Sequence, residues 1–342
     1  MKILVTGGAG FIGSHFVLEM RKRRPEVELV NVDLLTYAGN LENLTPLEGD
    51  AGHVFVKADV SDRAAMEAVF TEHKPDGVIH FAAESHVDRS ILDASPFVRN
   101  NILGTQVLLD VARAAGVDRY LQVSTDEVYG ALGKTGLFTE STPLAPNSPY
   151  AASKAAADML VRAAHKTHGF NAVITRCSNN YGPLQFPEKL IPLMIANAYE
   201  GKKLPVYGDG MQIRDWLHVS DHCEAIWTVY SEAAPGSVYN VGGNNEWANI
   251  DVVKLLLEIV GQPESLIEYV TDRAGHDRRY AIDASKIRDD LGWQPARTFE
   301  EALPETVKWY LEHRDWWERV RSGAYREYYA TQYGGRVSAP EA

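Results

Sequence analysis

The chain is poor in cysteine, since its 342 residues include only Cys177 and Cys223. Two cysteines are too few for a disulfide framework, and neither has histidine neighbours at the spacing of metal ligands. We therefore expect no disulfide network and no bound metal. Free thiols are typical of a reducing compartment, so the expected location is cytoplasmic.

Long apolar runs are also missing. No stretch approaches the roughly 18 uninterrupted apolar residues of a membrane span. The first residues, MKILVTGG, lack the long apolar stretch and the small-residue cleavage site of a secretory signal. We expect a protein that has no membrane partner and is not exported.

Positive charge is scarce as well. There are 34 Lys and Arg residues against 46 Asp and Glu residues, which gives a formal net charge of -12. Such a chain repels the phosphate backbone of nucleic acids, so no nucleic-acid partner is expected. The short basic run 21–24 is better explained as the end of a helix, where it complements the helix dipole.

What the sequence does contain is an alternation of short β-branched runs with longer amphipathic segments. Predicted strands occupy 2–6, 28–33, 53–59, 77–81, 119–124 and 171–176, and predicted helices occupy 12–23, 63–72, 96–115 and 153–168. Near-continuous apolarity marks these strands as buried. This βαβ rhythm predicts an α/β fold with a Rossmann-like, doubly wound parallel sheet.

The rhythm breaks after Ser178, where a loop-rich stretch with several prolines begins. We predict that residues 1–178, with a returning segment near 215–240, form the lobe that contains the sheet. Residues 179–214 and 241–333 would form a smaller, mixed α/β lobe. Residues 334–342 are small and polar and are expected to be a disordered tail.

A glycine motif, GGAGFIG, lies between the first predicted strand and the first predicted helix. Gly7, Gly10 and Gly13 would bring backbone amides and a helix N-terminus to a pyrophosphate, although such a turn could also serve packing alone. Asp33 ends the second predicted strand, where its carboxylate would bind the adenine ribose hydroxyls and repel the extra phosphate of NADP. The expected cofactor is therefore NAD, bound by the larger lobe.

Further cofactor contacts are expected around this motif and at the carboxyl ends of the following strands. They are Phe11, Ile12, Leu34, Thr36, Asp59, Val60, Ala82, Ala83 and Asn100. The strand-end residues among them, from Asp59 to Ala83, are as readily explained by packing when each is taken singly.

Three side chains near the expected cleft suit proton transfer. Tyr150 and Lys154 are four residues apart at the start of a predicted helix, so both lie on one face and the ammonium can lower the pKa of the phenol. Thr125 follows the fifth predicted strand and could hydrogen-bond both a substrate and Tyr150. Tyr150 is therefore a candidate base.

Two adjacent carboxyl groups, Asp126 and Glu127, follow Thr125 in the string STDEVYG. Crowding and partial burial disfavour two ionised carboxylates side by side, so such a pair often serves chemistry. Strand alternation would direct them at different atoms, one as an acid and the other as a base. The alternative is a pair of solvated loop acids.

The motifs GGAGFIG and YAASK resemble the GxxGxxG and YxxxK patterns of the extended short-chain dehydrogenase/reductase family, and the resemblance covers nearly the whole chain. It implies that Tyr150 is the base in hydride transfer, that Lys154 lowers its pKa and holds the nicotinamide ribose, and that Thr125 assists. The string TDEVYG is similar to that of the family's dTDP-glucose 4,6-dehydratases. That similarity implies that Asp126 protonates the leaving hydroxyl at carbon 6 and that Glu127 removes the proton at carbon 5.

The same resemblance implies an NAD-dependent lyase that converts dTDP-glucose to its 4-keto-6-deoxy product in deoxysugar biosynthesis, such as that of dTDP-rhamnose. It also implies a homodimer, with its contact at the predicted helices 96–115 and 153–168. Asn180 is expected beside the nicotinamide. The expected substrate contacts are Ser85, Thr125, Asn179, Lys189, Leu190, Pro205, Tyr207, Arg214, Asn249, Arg273 and His276.

Other functions remain open on the sequence. A UDP-glucose 4,6-dehydratase could share nearly every motif. An NAD-dependent UDP-hexose 4-epimerase is the nearest rival, and the pair Asp126 and Glu127 argues against it. A catalytically silent NAD-sensing module is a rival of another class, which the set Thr125, Tyr150 and Lys154 disfavours.

The arginines and histidines carry alternatives of their own. Arg214 and Arg273 offer planar donors for a diphosphate, but either could instead pair with Asp215 or Asp277. Packing is the expected role of three histidines that lack metal-ligand partners at usable spacing, namely His86, His218 and His222.

Overall fold

A computed structural model of the chain describes residues 1–322. The predicted tail at 334–342, and the end of the predicted smaller lobe, lie outside the described residues. Within the described part, no helix combines the length and the apolar character that crossing a membrane would require.

The described residues form twelve strands. They are β1 (Lys2–Thr6), β2 (Glu28–Asp33), β3 (His53–Lys57), β4 (Gly77–His80), β5 (Arg119–Thr125), β6 (Ala172–Cys177), β7 (Asn179–Tyr181), β8 (Leu204–Tyr207), β9 (Ile213–His218), β10 (Val238–Val241), β11 (Glu246–Ala248) and β12 (Ile267–Val270). The predicted strands 2–6 and 28–33 have the bounds of β1 and β2, and the other four differ by one or two residues at one or both ends.

Twelve α-helices connect and cover these strands in the same part of the chain. They are α1 (Phe11–Arg23), α2 (Arg63–His73), α3 (Val87–Leu92), α4 (Ser95–Phe97), α5 (Gly104–Ala114), α6 (Pro149–His168), α7 (Leu190–Tyr199), α8 (Val219–Glu232), α9 (Asn249–Val260), α10 (Ser285–Leu291), α11 (Phe299–Glu312) and α12 (Arg314–Arg321). A π-helical segment, Val98–Leu103, joins α4 to α5. The predicted helix 96–115 therefore exists, with a local change of its hydrogen-bond pattern.

Seven strands form the main sheet in the order β10-β6-β5-β4-β1-β2-β3, and every neighbouring pair is parallel. Helices α1 and α8 cover one face, where Phe16 and Ile226 are buried with Leu121 of β5. Helices α2, α5 and α6 cover the other face, where Met66 and Leu108 belong to a second apolar cluster. These two layers of helices confirm the predicted doubly wound sheet.

The smaller part of the molecule has two short sheets of its own. Strands β11, β9 and β7 form one, and β12 pairs with β8 in the other. Helices α7, α9 and α11 pack beside them around an apolar cluster that includes Ile195, Leu256 and Leu303. The stretch after Ser178 is thus more regular than the predicted loops. The sequence did not reveal its short strands, because three or four residues are too few to show a period.

The connections of the main sheet determine where a ligand can bind. From β1 the chain continues to β2 and β3 on one side, and then crosses to β4 on the other side. The connection after β1 runs towards β2, and the connection after β4 runs towards β5 on the opposite side of the sheet. A crevice therefore opens between them, at the carboxyl ends of β1 and β4.

Candidate active site

A cavity of about 310 Å³ lies at the carboxyl ends of the main-sheet strands. Its volume is within the range of small-ligand sites, roughly 300–1,000 Å³. Every residue predicted to bind the cofactor lines it: Gly7, Gly10, Phe11, Ile12, Gly13, Asp33, Leu34, Thr36, Asp59, Val60, Ala82, Ala83, Asn100, Tyr150, Lys154 and Asn180. The fold brings the whole set together, and its binding role stays a prediction.

The glycine motif beside the cavity fits a pyrophosphate. A Cβ atom on Gly13 would lie 2.2 Å from the carbonyl oxygen of Gly7, and one on Gly7 would lie 2.6 Å from the amide nitrogen of Ala82. Within residues 1–322, no side chain caps α1 at Gly10, and the first turn contains no acidic residue. The helix therefore offers its first amides and the positive end of its dipole to an anionic group.

Backbone amides hold Asp33 at the end of β2. Its Oδ1 accepts a hydrogen bond from the amide of Leu35 at 2.8 Å, and its Oδ2 accepts one from the amide of Ala9 at 3.0 Å. Burial raises the pKa of Asp33, and the two amides act in the opposite direction. Each carboxylate oxygen can accept a second hydrogen bond, so this side chain fits the ribose hydroxyls of NAD.

The three candidate proton-transfer residues meet at the same cavity. Thr125 is the last residue of β5, and Tyr150 and Lys154 lie in the first two turns of α6. This helix begins where its sequence predicts, because Ser148 accepts a hydrogen bond from a first-turn amide and Pro149 suits the first helical position. The capped start positions both functional side chains on one face.

The electrostatics of Tyr150 differ from the expectation. Burial and the carboxylate of Glu127 raise the pKa of Tyr150 well above its usual value. The ammonium of Lys154 donates to the carbonyl oxygen of Val123 at 2.7 Å, and burial lowers the pKa of this lysine. The predicted lowering of the phenol pKa neglected how completely the cleft buries the phenol.

The pair Asp126 and Glu127 does not continue β5. Residues Asp126–Tyr129 form a 3-10 turn, so the expected strand alternation is wrong, because the strand ends at Thr125. The two side chains still have different surroundings. Glu127 lines the cavity, whereas Asp126 is 1% exposed and its Oδ2 has no hydrogen-bond partner among the described residues.

These surroundings separate the two carboxyl groups chemically. Burial raises the pKa of Asp126 well above its usual value, and the negative charges of Glu127 and Asp215 add to that effect. Burial also raises the pKa of Glu127, but Arg273 and Arg214 oppose the rise. The arrangement favours a protonated Asp126 beside a Glu127 that can ionise, which is the pairing of a general acid with a general base.

The predicted substrate contacts form two groups. Ser85, Thr125, Asn179 and Lys189 line the cavity, and the ammonium of Lys189 donates to the carbonyl oxygen of Ser85 at 2.9 Å. The remaining ones belong to elements of the smaller part: Leu190 begins α7, Pro205 and Tyr207 lie in β8, Arg214 lies in β9, Asn249 begins α9, and Arg273 and His276 follow β12. These seven are not among the lining residues of the cavity.

The two arginines form contacts that differ from the ion pairs that the sequence left open. Arg273 forms an ion pair with Asp88 at 3.3 Å. Arg214 donates to the backbone carbonyl of Asp277 at 3.0 Å, and its guanidinium carbon lies 4.3 Å from the ring centre of Tyr280. Within residues 1–322, neither arginine forms a side-chain ion pair with Asp215 or Asp277, and these contacts take the place of such a pair.

One contact across the cavity was not predicted. Tyr37, in the loop after β2, packs edge-on against Phe186 with 5.5 Å between ring centres, and its ring centre lies 3.8 Å from the guanidinium carbon of Arg89. Arg89 in turn pairs with Glu188 at 3.2 Å. Local pattern could single out an aromatic residue next to Thr36, but it could not show partners about 50 and about 150 residues later in the chain.

Comparison with known proteins agrees with this geometry. The model of the GDP-mannose 4,6 dehydratase family matches residues 4–306. A dTDP-glucose 4,6-dehydratase of Xanthomonas campestris pv. campestris is 57% identical over 341 residues, which cover 94% of this chain and 97% of that protein.

Solved structures lead to the same family. The dTDP-glucose 4,6-dehydratase of Bacillus anthracis, crystallised with NAD, is 51% identical with a TM-score of 0.88, and the match covers 94% of this chain and 99% of that one. The enzyme of the same name from Streptomyces venezuelae, also with NAD bound, is 49% identical with a TM-score of 0.91, covering 94% and 100%. The chain therefore belongs to the GDP-mannose 4,6 dehydratase family and, within it, to the dTDP-glucose 4,6-dehydratases.

Proposed function

We propose that the protein is an NAD-dependent lyase that converts dTDP-glucose to dTDP-4-dehydro-6-deoxy-glucose and water. The observation that carries this proposal is the pair Asp126 and Glu127, which occupies two different environments beside Tyr150. Oxidation at carbon 4 needs one base, whereas elimination across carbons 5 and 6 needs a second base and an acid. The pair supplies both.

The first step depends on Tyr150. Bound NAD would supply the hydride acceptor for carbon 4 and the hydride donor for carbon 6, so that none would be consumed overall. Tyr150 takes the proton of the carbon 4 hydroxyl, and Thr125 hydrogen-bonds at the same oxygen. Burial opposes ionisation of the phenol, so the proposed proton transfer relies on the ammonium of Lys154, one turn further along α6, to favour it.

The second step depends on the acidic pair. Once carbon 4 is a ketone, the proton at carbon 5 is acidic, and Glu127 removes it as a general base. When the hydride returns to carbon 6, Glu127 gives a proton back to carbon 5. Asp126, held protonated by burial, donates a proton to the hydroxyl that leaves carbon 6. Burial raises the pKa of Glu127, and the positive charges of Arg273 and Arg214 oppose that rise and so favour the ionised carboxylate that acts as the base.

The nucleotide part of the substrate requires local cations on a negatively charged protein. Lys189 lines the cavity, and Arg214 and Arg273 lie close enough to Glu127 to influence its pKa. We assign the diphosphate to these three side chains, because guanidinium groups match phosphate oxygens with paired donors. The names of the similar proteins favour dTDP over UDP as the nucleotide.

The test is incubation of the purified protein with dTDP-glucose and, separately, with UDP-glucose, followed by mass and NMR analysis of the sugar. We expect loss of water from the dTDP sugar and a 4-keto-6-deoxy product. A faster reaction with UDP-glucose would reassign the nucleotide. A sugar recovered with all its oxygen, as the carbon 4 epimer, would instead identify the epimerase.

We also propose a cytoplasmic homodimer built from two-lobed subunits with the boundaries given above. Both cysteines are free thiols, which suits a reducing compartment. Val98 and Leu103 of the π-helical segment are 54% and 49% exposed, and Met159 of α6 is 42% exposed. Exposed apolar side chains on two adjacent helices are typical of a subunit contact.

A further inference from the structure

A buried histidine lies directly behind one of the cavity residues. His222, in the first turn of α8, is fully buried, and its Nδ1 lies 2.9 Å from the Oδ1 of Asn180. Asn180 belongs to β7 and lines the cavity together with Cys177 and Ser178. Cys177, three residues before Asn180, is paired in the sheet with Thr125, and Thr125, Tyr150 and Asn180 all line the same cavity.

The bonds of Asn180 determine which ring nitrogen of His222 carries the proton. The Nδ2 of Asn180 donates to the carbonyl oxygen of Ser178 at 3.0 Å, so its Oδ1 is the atom directed at the histidine. An oxygen accepts, and Nδ1 must therefore be the donor. The amide group retains one further N–H, which remains for a ligand in the cavity.

The chemistry of the ring agrees with a fixed neutral donor. Burial alone lowers the pKa of His222 to about 3, so the ring does not charge at neutral pH. Its Nε2 has no hydrogen-bond partner among the described residues, and a buried polar atom without a partner is destabilising. Among the described residues, the hydrogen bond to Asn180 is thus the one polar contact of this imidazole.

We infer that His222 is a positioning residue, which holds the carboxamide of Asn180 so that its remaining N–H is directed at a carbonyl or hydroxyl oxygen of a ligand beside Lys154. The inference rests on the proposed NAD-dependent reaction and deepens it. Two further bonds restrict Asn180, because its side chain is tied to Ser178 and its backbone carbonyl accepts from Gln185 at 2.9 Å. Removal of the histidine donor would leave the bond to Ser178 to orient the amide without a second partner among the described residues.

Two substitutions separate positioning from packing. In His222→Asn the side-chain amide nitrogen stands close to the place of Nδ1 and can still donate to Asn180, whereas His222→Leu fills the space without a donor. Cys223→Ala is the matched control, because Cys223 is the next residue of α8, is also buried, and bonds to Ile12 rather than to Asn180.

The measurements are kcat and KM for dTDP-glucose, the NAD content of the purified proteins, and the free energy of unfolding. We expect His222→Leu to lower kcat roughly tenfold, as is usual when a supporting hydrogen bond behind a functional group is lost, and to lower NAD content. KM for the sugar should stay at the wild-type value, His222→Asn should recover most of both losses, and Cys223→Ala should lose stability alone.

The results that would overturn the inference are specific. The inference is wrong if His222→Leu keeps the wild-type kcat and NAD content. It is also wrong if His222→Leu and His222→Asn lose kcat and NAD content equally, in proportion to their loss of unfolding free energy. Failure of the wild type to convert dTDP-glucose would refute the proposed function instead. In that case the NAD content of the three variants still decides whether His222 acts through Asn180.

Discussion

The carboxyl groups of Asp126 and Glu127 are neighbours in sequence but not in environment. One is enclosed by the protein, and the other meets the cavity. A sequence can show that two carboxyl groups are adjacent, and it predicted their acid and base roles here. It could not show the 3-10 turn that follows β5, because no local pattern in STDEVYG marks the end of the strand at Thr125.

Replacement of Glu127 by glutamine tests the base at the residue scale. Glutamine keeps the size and polarity of the side chain but cannot take the carbon 5 proton. We expect Glu127→Gln to bind NAD and to form enzyme-bound NADH on addition of dTDP-glucose, while product formation falls at least roughly a hundredfold, the lower end of the usual general-base contribution. NADH fluorescence and product NMR measure the two steps.

Tyr150→Phe is the matched comparison for that experiment. The phenol acts before elimination, so this variant should form no enzyme-bound NADH. If Glu127→Gln retained full turnover, or if Tyr150→Phe formed NADH at the normal rate, the corresponding role would be refuted.

At the scale of elements, the loop after β2 and the segment 185–189 meet at the cavity that is lined by the residues predicted to bind NAD. Tyr37 is central to this contact, because its ring meets both Phe186 and Arg89. A reaction that consumes no net NAD gains from a site that keeps the cofactor through turnover. We propose that the contact of Tyr37 with Phe186 and Arg89 helps to retain NAD through turnover.

We expect Tyr37→Ala to lose NAD during purification and to require added NAD for full activity. Tyr37→Phe is the control, since it keeps the ring that packs against Phe186 and Arg89. The NAD content of each protein, read from its absorbance after denaturation, measures the effect. Equal retention in the two variants would show that the ring contact does not hold the cofactor.

Elements were predicted with unequal success, for a physical reason. Buried parallel strands such as β1 and β2 are continuous apolar runs with glycine or acidic ends, and their bounds could be read directly. The π-helical segment Val98–Leu103 has the same composition as a regular helix, so the sequence could not distinguish it. The short strands β7 and β11 depend on pairing with β9, which no local pattern specifies.

At the scale of the whole molecule, the exposed apolar side chains of 98–103 and α6 test the proposed dimer. A charge at the centre of such a contact is costly to bury. We expect Leu103→Glu to convert a dimer into a monomer in sedimentation velocity. Leu137→Glu, at a residue that is 50% exposed in a loop, is the control and should leave the dimer intact. A wild-type monomer would contradict the dimer itself.

Stability should depend on pH through buried neutral histidines. His80 contacts Thr6 and Thr105, and burial lowers its pKa to about 3. In the unfolded chain the same group takes a proton near pH 6.5, so its contribution is complete above that pH and is lost as the pH falls from about 6.5 towards 3.

Comparison of variants isolates that contribution. Between pH 6 and 4, we expect the free energy of unfolding of His80→Gln to change less steeply than that of the wild type, by up to about 1.4 kcal/mol per pH unit. Denaturant titrations at several pH values measure it. The exposed His168→Gln should follow the wild type, and an unchanged slope in His80→Gln would contradict the assignment.

The most direct test of the central claim is the reaction of the wild-type protein with dTDP-glucose in deuterated water. Glu127 exchanges the carbon 5 proton with solvent if it acts as the base, so the account requires a 4-keto-6-deoxy sugar with deuterium at carbon 5. A product without deuterium at that position would contradict solvent-derived protonation there. A sugar that keeps all its oxygen would contradict the elimination itself.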